Sequence, residues 1–138
     1  MRNISHFNNG HRNGFLIEKA KRDGMSIPKE ITQSLTPGEE VVKTTHVKRR
    51  KDLVHPKNLI ITTKRAIIYD PGFIGCEFED FPFDAITNIE FKKGILSSGI
   101  IINTSGGSGE VKGLPKGDAS EAFKIMRQYW QAYMEGKR

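Results

Sequence analysis

The spacing of apolar residues changes three times along the chain, and each change marks a different kind of element. From Met1 to Gly14, Asn, His and Gly dominate, and neither a helical nor an extended repeat is visible. That is the pattern of a segment that stays outside a packed core, so residues 1–24 are expected to form a disordered or loosely ordered tail. Ser26 and Pro28 then supply a helix start, and Ile27, Ile31 and Leu35 are spaced to share one helical face. This predicts a short helix within residues 25–36, ended by Thr36-Pro37-Gly38.

Beyond Glu39 the period becomes two. Val41 to Val47 is dominated by β-branched residues and reads as a first strand. Asn58 to Thr63 and Ala66 to Tyr69 are separated only by Lys64-Arg65, which predicts a tight hairpin, and Asp70-Pro71-Gly72 closes it in a turn. Glu77-Phe78-Glu79-Asp80-Phe81 mixes acids with rings. It is expected to hold the rings on one strand face and the carboxylates on the other, before Pro82 marks an edge or bend. Strands over Thr87 to Lys92, Ser98 to Thr104 and Glu110 to Leu114 follow. The last two are joined through Ser105-Gly106-Gly107-Ser108-Gly109, whose glycines suit the positive φ angles of a hairpin connection. About seven short strands at this spacing predict a mainly β fold, a small barrel or sandwich.

At the end the period is helical again. Asp118 as a cap and Glu121 three residues later open a helix over about residues 118–135, with Phe123, Met126, Trp130 and Tyr133 in one stripe and Ala119, Ala122 and Tyr129 beside it. Such a stripe must cover something, and an open end of the β structure is the surface available. Trp130 is therefore expected to be buried, so that truncation to Ala costs about 3–5 kcal/mol. Residues 37–138 then form one unit, strands plus helix, and a total of 138 residues fits a single domain.

Composition narrows the class. Hydrophobic residues make up 36% and charged residues 28%, enough for a core only if part of the chain lies outside it. No run of about 18 apolar residues occurs, and Met1 to Gly14 lacks an apolar signal-peptide segment, so neither a membrane span nor secretion is expected. Cys76 is the only cysteine; no internal disulfide and no cysteine-cluster zinc site can form, and the cytoplasm is the expected compartment. Charge is unevenly placed. Residues 1–57 hold 12 Lys or Arg against 6 Asp or Glu and residues 58–138 hold 10 against 10, so the whole excess of +6 lies in the first part.

The order of elements resembles a known family. Leu35-Thr36-Pro37-Gly38-Glu39-Glu40 before the first strand, Leu59 to Tyr69 as a hairpin, Phe83-Asp84-Ala85-Ile86-Thr87-Asn88-Ile89 before the next strand and a closing helix look like the bacterial pleckstrin-homology-like domains, especially the YokE-like group. The resemblance covers about residues 33–135. It implies a PH-like seven-stranded antiparallel barrel of two orthogonal sheets capped by a C-terminal α-helix. It also implies that the loop between the first two strands frames an anionic headgroup, with a basic residue late in the first strand and more at the start of the second. Here the second strand opens with Asn58-Leu59-Ile60 and lacks the Lys-x-Arg of that pattern, which leaves an anionic surface rather than a stereospecific inositol phosphate as the implied ligand.

Residues able to carry catalysis do not form a pattern. His6, His11, His46 and His55 show no metal-ligand spacing, no Ser sits in GxSxG, and Cys76 has no base beside it in sequence. The glycine run lacks the GK[ST] of a phosphate loop, and Glu77, Glu79, Asp80 and Asp84 lack the Gly-centred spacing of a calcium loop. No enzyme activity, cofactor or metal is expected. The sharpest local feature is Lys48-Arg49-Arg50-Lys51, with Lys43, His55 and Lys57 nearby and Asp52 opposing. These residues are the candidate site for an anionic surface.

Four to six such charges contribute about 1 kcal/mol each beside an anionic bilayer, a weak interaction of about 1 mM to a few tens of micromolar. Recruitment then needs avidity, as in a homo-oligomer, or an apolar contact. Leu53-Val54, or a hydrophobic loop tip at Phe73 and Ile74, are the expected sources. The expected ligands are anionic lipid headgroups or a protein partner, which adds peripheral membrane attachment to the cytoplasmic expectation. Nucleic acid is an alternative that lacks interleaved aromatic residues, and self-assembly through free strand edges is another. A solvated loop with no ligand at all is the plainest alternative.

Overall fold

In the computed structural model, which describes residue 27 and residues 29–45, 57–70 and 77–136, a short helix precedes seven strands and a long helix closes the chain. The elements are α1 (Lys29–Ser34), β1 (Val41–Thr44), β2 (Asn58–Thr62), β3 (Arg65–Asp70), β4 (Glu77–Pro82), β5 (Ile86–Lys93), β6 (Ser98–Thr104), β7 (Gly107–Leu114) and α2 (Lys116–Gly136). The N-terminal tail, the basic run Lys48–Lys51 with Leu53, Val54 and His55, the tip at Phe73 and Ile74, and Cys76 lie outside the described residues.

The strands make two antiparallel sheets, β1-β2-β3-β4 and β5-β6-β7. The chain passes from one to the other in a tight turn, in which the Ala85 N–H donates to the Pro82 carbonyl at 2.9 Å. Among the described residues no ladder joins the two sheets, so the expected barrel is two packed sheets with a helix rather than a hydrogen-bonded cylinder. Side chains make the junction. Gly109 of β7 faces Phe81 of β4 and Ile68 of β3, and a Cβ there would lie 2.9 Å from Ile68 Cδ1 and closer still to the Phe81 ring. Gly109 is thus a point of close approach inside a strand, not part of the β6–β7 connection, which is only Ser105-Gly106.

Alternation along the strands of the larger sheet builds two apolar clusters. Leu59, Ile61, Ala66, Ile68 and Phe81 point inward, where they meet Ile89, Ile100, Ile102, Val111 and Leu114 of the smaller sheet and Ala119, Ala122 and Met126 of α2. Ile60, Ile67, Tyr69 and Val41 point outward and are covered by Ile27 and Ile31, with Leu35 and Phe78 beside them. All five residues of β2 are buried because both faces of this sheet are covered, which removes the usual polar alternation of an antiparallel strand.

β4 departs from expectation in one respect. Phe81 belongs to the inner cluster and Phe78 to the outer one, because three residues along a strand reverse the face. α2 starts earlier than expected: the Ala119 N–H donates to the Pro115 carbonyl at 2.9 Å, which places Asp118 inside the first turn rather than at the cap. Its stripe runs off the sheets toward the C-terminus. Met126 is fully buried, Trp130 is only half-buried with its indole N–H donating to the Ile86 carbonyl at 3.3 Å, and Tyr133 is exposed.

Candidate functional site

The connection between β1 and β2, which carries the basic run, leaves the sheet through a firmly closed neck. Beyond the last residue of β1, Thr45 is fully buried. Its N–H donates to the Leu59 carbonyl at 2.9 Å, its hydroxyl donates to the same carbonyl at 3.2 Å, and it accepts the Leu59 N–H at 2.9 Å. A threonine side chain thereby closes the ladder where the strand pairing ends. On the return side Lys57 is partly exposed as the chain enters β2.

Lys43, the basic residue late in β1, is engaged elsewhere. Its ammonium lies 3.4 Å from Asp118 Oδ1 and 3.5 Å from Glu121 Oε2, and its side chain is 15% exposed. Two carboxylates near the start of α2 therefore balance it, and Asp118, in the first turn, also suits the positive end of the helix. Lys43 ties the closing helix to the larger sheet. Of the seven basic positions anticipated from sequence, only Lys43 and Lys57 fall among the described residues.

The opposite end of the same strands holds a charge network that sequence reasoning missed. In Thr36-Pro37-Gly38-Glu39, Pro37 presets one turn angle and Gly38 adopts φ +82°, while the Glu39 N–H donates to the Thr36 carbonyl at 3.0 Å; this is the geometry of a type II turn. It folds the Glu39 carboxylate inward. Glu39 accepts from the Thr36 N–H at 2.9 Å, the Thr62 hydroxyl at 2.6 Å and Arg65 Nε at 2.9 Å. Burial alone would raise this carboxyl, but the Thr62, Thr36 and Arg65 donors together outweigh it and hold it below the usual range. The Arg65 fork continues to Asp80 Oδ2 at 2.8 Å and to the Ser34 carbonyl, at the end of α1, at 2.8 Å. Four segments meet on one guanidinium. The only hint in the sequence was a turn motif followed by an acid, with its partner 26 residues away.

The β5–β6 connection was also passed over. Ile95 and Leu96 project from it and are 88% and 78% exposed. Below it the Ser98 hydroxyl is buried and makes no hydrogen bond among the described residues. Among the described residues no group of three or more His, Cys, Asp or Glu could hold a metal ion, and no helix is long and apolar enough to cross a membrane.

Comparison with known proteins agrees with this architecture. The sequence model of the family described as Bacterial PH domain matches residues 35–128. An uncharacterized protein of Archaeoglobus fulgidus is 32% identical over 103 residues, which are 73% of this chain and 54% of that protein; the chain spans about half the length of the curated relative it matches. The crystal structure of a DUF1696-family protein with a pleckstrin-homology domain from Shewanella loihica superposes with a TM-score of 0.53 at 20% identity, covering 74% of this chain and 91% of that one. α1, which covers the outer face of the larger sheet, lies outside the matched segment.

Proposed function

Because the chain belongs to the bacterial PH domain family, we propose that it is a non-catalytic binding module that engages an anionic phospholipid surface through the connection between β1 and β2. Domains of this family generally act as binding or adaptor modules for lipids or proteins. The observation that carries the choice of surface is the locked neck at Thr45 and Leu59, beneath a connection holding four consecutive basic residues, Lys48-Arg49-Arg50-Lys51. A rigid base lets a charged loop meet a flat surface without disturbing the fold.

His55 and Lys57 extend the charge on the return side, and Phe73 and Ile74 in the β3–β4 connection are the apolar residues for an added contact. Lys43 has the separate task of fixing α2. A module recruited in this way works at the cytoplasmic leaflet, whose anionic lipids attract polybasic segments.

The test is vesicle sedimentation with Lys48, Arg49, Arg50 and Lys51 all changed to Ser. At low salt the variant is expected to lose up to about 4 kcal/mol of binding to phosphatidylserine vesicles, with its melting temperature nearly unchanged. An oligonucleotide competitor separates lipid from nucleic acid. Equal binding by wild type and variant, or displacement from vesicles by the oligonucleotide at stoichiometric amounts, contradicts the proposal.

A further inference from the structure

The two most exposed large apolar side chains among the described residues are neighbours. Ile95 and Leu96 occupy the Gly94–Ser97 turn between β5 and β6. The strand ladder runs up to this turn, with Lys93 opposite Ser98, and a Cβ on Gly94 would collide with the Ser97 carbonyl. The turn is therefore tight, and it presents both side chains at the end of a paired hairpin. Neither residue belongs to the inner or the outer cluster, so neither is explained by folding.

Charge around the turn is mainly positive. Lys92 and Lys93 lead into it, and Lys112 lies on the adjoining strand; the Lys92 and Lys112 side chains are 64% and 71% exposed. One acid, Glu110, sits between them, 3.9 Å from the Lys92 ammonium and 4.0 Å from that of Lys112. Three cations against one carboxylate leave a positive collar below an aliphatic tip.

We infer that the Gly94–Ser97 turn is a membrane-insertion tip: Ile95 and Leu96 enter the headgroup–acyl boundary of an anionic bilayer while Lys92 and Lys93 contact its headgroups. The inference rests on the proposed lipid-surface function and supplies the apolar anchor that a basic loop alone lacks. A bilayer is favoured over a second copy of the chain on two grounds. Two side chains on a convex turn offer far less area than the roughly 1,200 Å² of a specific protein interface, and a cationic collar repels its own copy but complements anionic headgroups. The position also fits. Ser98, beside the turn, pairs with Leu114 just before α2, and the first turn of α2 holds Lys43 just before the neck of the basic loop. Both elements flank one end of the helix.

The experiment uses the full chain with vesicles of phosphatidylcholine containing about a third phosphatidylserine, a composition with a strong negative surface potential. Ile95→Ser/Leu96→Ser should keep the wild-type melting temperature and lower the partition coefficient about 100-fold, since each buried aliphatic side chain accounts for roughly a factor of ten or more. Leu96→Trp should shift its emission to the blue on vesicle addition and be quenched by brominated acyl chains. A tip variant that partitions like wild type, with a Trp that stays unquenched, overturns the inference. If the basic-loop variant alone loses binding, the proposed function stands and this tip plays no part in it. If the tip variant alone loses binding, the tip stands and the loop does not. Absence of wild-type binding overturns both, and so does a concentration-dependent dimer abolished by Ile95→Ser/Leu96→Ser, which would make the tip a protein contact.

Discussion

Two hairpin turns of this molecule are built on opposite plans. At the β2–β3 turn, polar and charged side chains are absorbed into the fold: the Thr62 hydroxyl accepts the Lys64 and Arg65 amides at 3.1 and 3.0 Å, the Lys64 ammonium reaches Thr36 Oγ1 at 3.0 Å, and Arg65 bridges Glu39 and Asp80. At the β5–β6 turn two aliphatic residues face solvent beside lysines. The first turn is explained by what it holds together, namely α1, the Thr36-Pro37 turn, the hairpin and β4. The second contributes to neither apolar cluster, and under the inferred insertion its aliphatic pair serves an outside surface. A polar cluster saturated internally serves stability, whereas adjacent aliphatic side chains exposed outside any core cluster are candidates for binding.

Breaking the saturated turn should have the largest effect. Arg65→Ala leaves the buried Glu39 carboxylate without its cation and should destabilise the protein by about 3–5 kcal/mol in chemical denaturation. Acid should act through the same group. The folded Glu39 carboxyl lies below its ordinary value, so its contribution is complete above about pH 4.3, the usual carboxylate pKa, and is lost as pH falls through the lower folded value. Glu39→Gln should flatten that part of the stability profile. An unchanged profile would show that the network contributes nothing to acid stability.

Next in size is the closing helix. Met126, fully buried under the sheets, should cost about 2–5 kcal/mol as Ala. Trp130, half-buried at the rim, should cost less than Met126 and less than the roughly 3–5 kcal/mol expected of a buried ring. A Trp130 variant less stable than the Met126 variant would show that the rim of the core is more tightly packed than its exposure indicates.

The smallest effect is expected at Ser98, whose buried hydroxyl makes no hydrogen bond among the described residues. Ser98→Ala removes a desolvated polar atom and should be neutral or stabilise by up to about 1 kcal/mol in thermal melting. A clear loss of stability would reveal a partner for that hydroxyl.

The strands were legible because short apolar runs rich in β-branched residues stand between turn residues, as in Asn58 to Thr62 and Ser98 to Thr104. The β2–β3 turn was misplaced by one residue. Lys64-Arg65 was taken as the turn, whereas Arg65 opens β3 and reaches Glu39, an attraction that local propensity cannot register. Phe78 and Phe81 were assigned to one face from composition, though their spacing by three already separates them. The sheet pairing without closure depends on contacts such as Gly109 against Phe81, which no local pattern encodes. The candidate site divides in the same way. A run of four basic residues is visible to the eye, but the neutralisation of Lys43 by Asp118 and Glu121, 75 and 78 positions later, is not. Ile95 and Leu96 form no repeat, and only exposure distinguishes them.

The most direct measurement is the partition of the wild-type protein between buffer and vesicles, with and without phosphatidylserine, as salt rises from about 0.1 to 1 M, where the Debye length falls from roughly 10 to 3 Å. The expectation is binding that requires phosphatidylserine at low salt, weakens as salt rises, and keeps a residual salt-resistant part carried by Ile95 and Leu96. Partition that is absent, or equal on vesicles with and without phosphatidylserine at low salt, would contradict it.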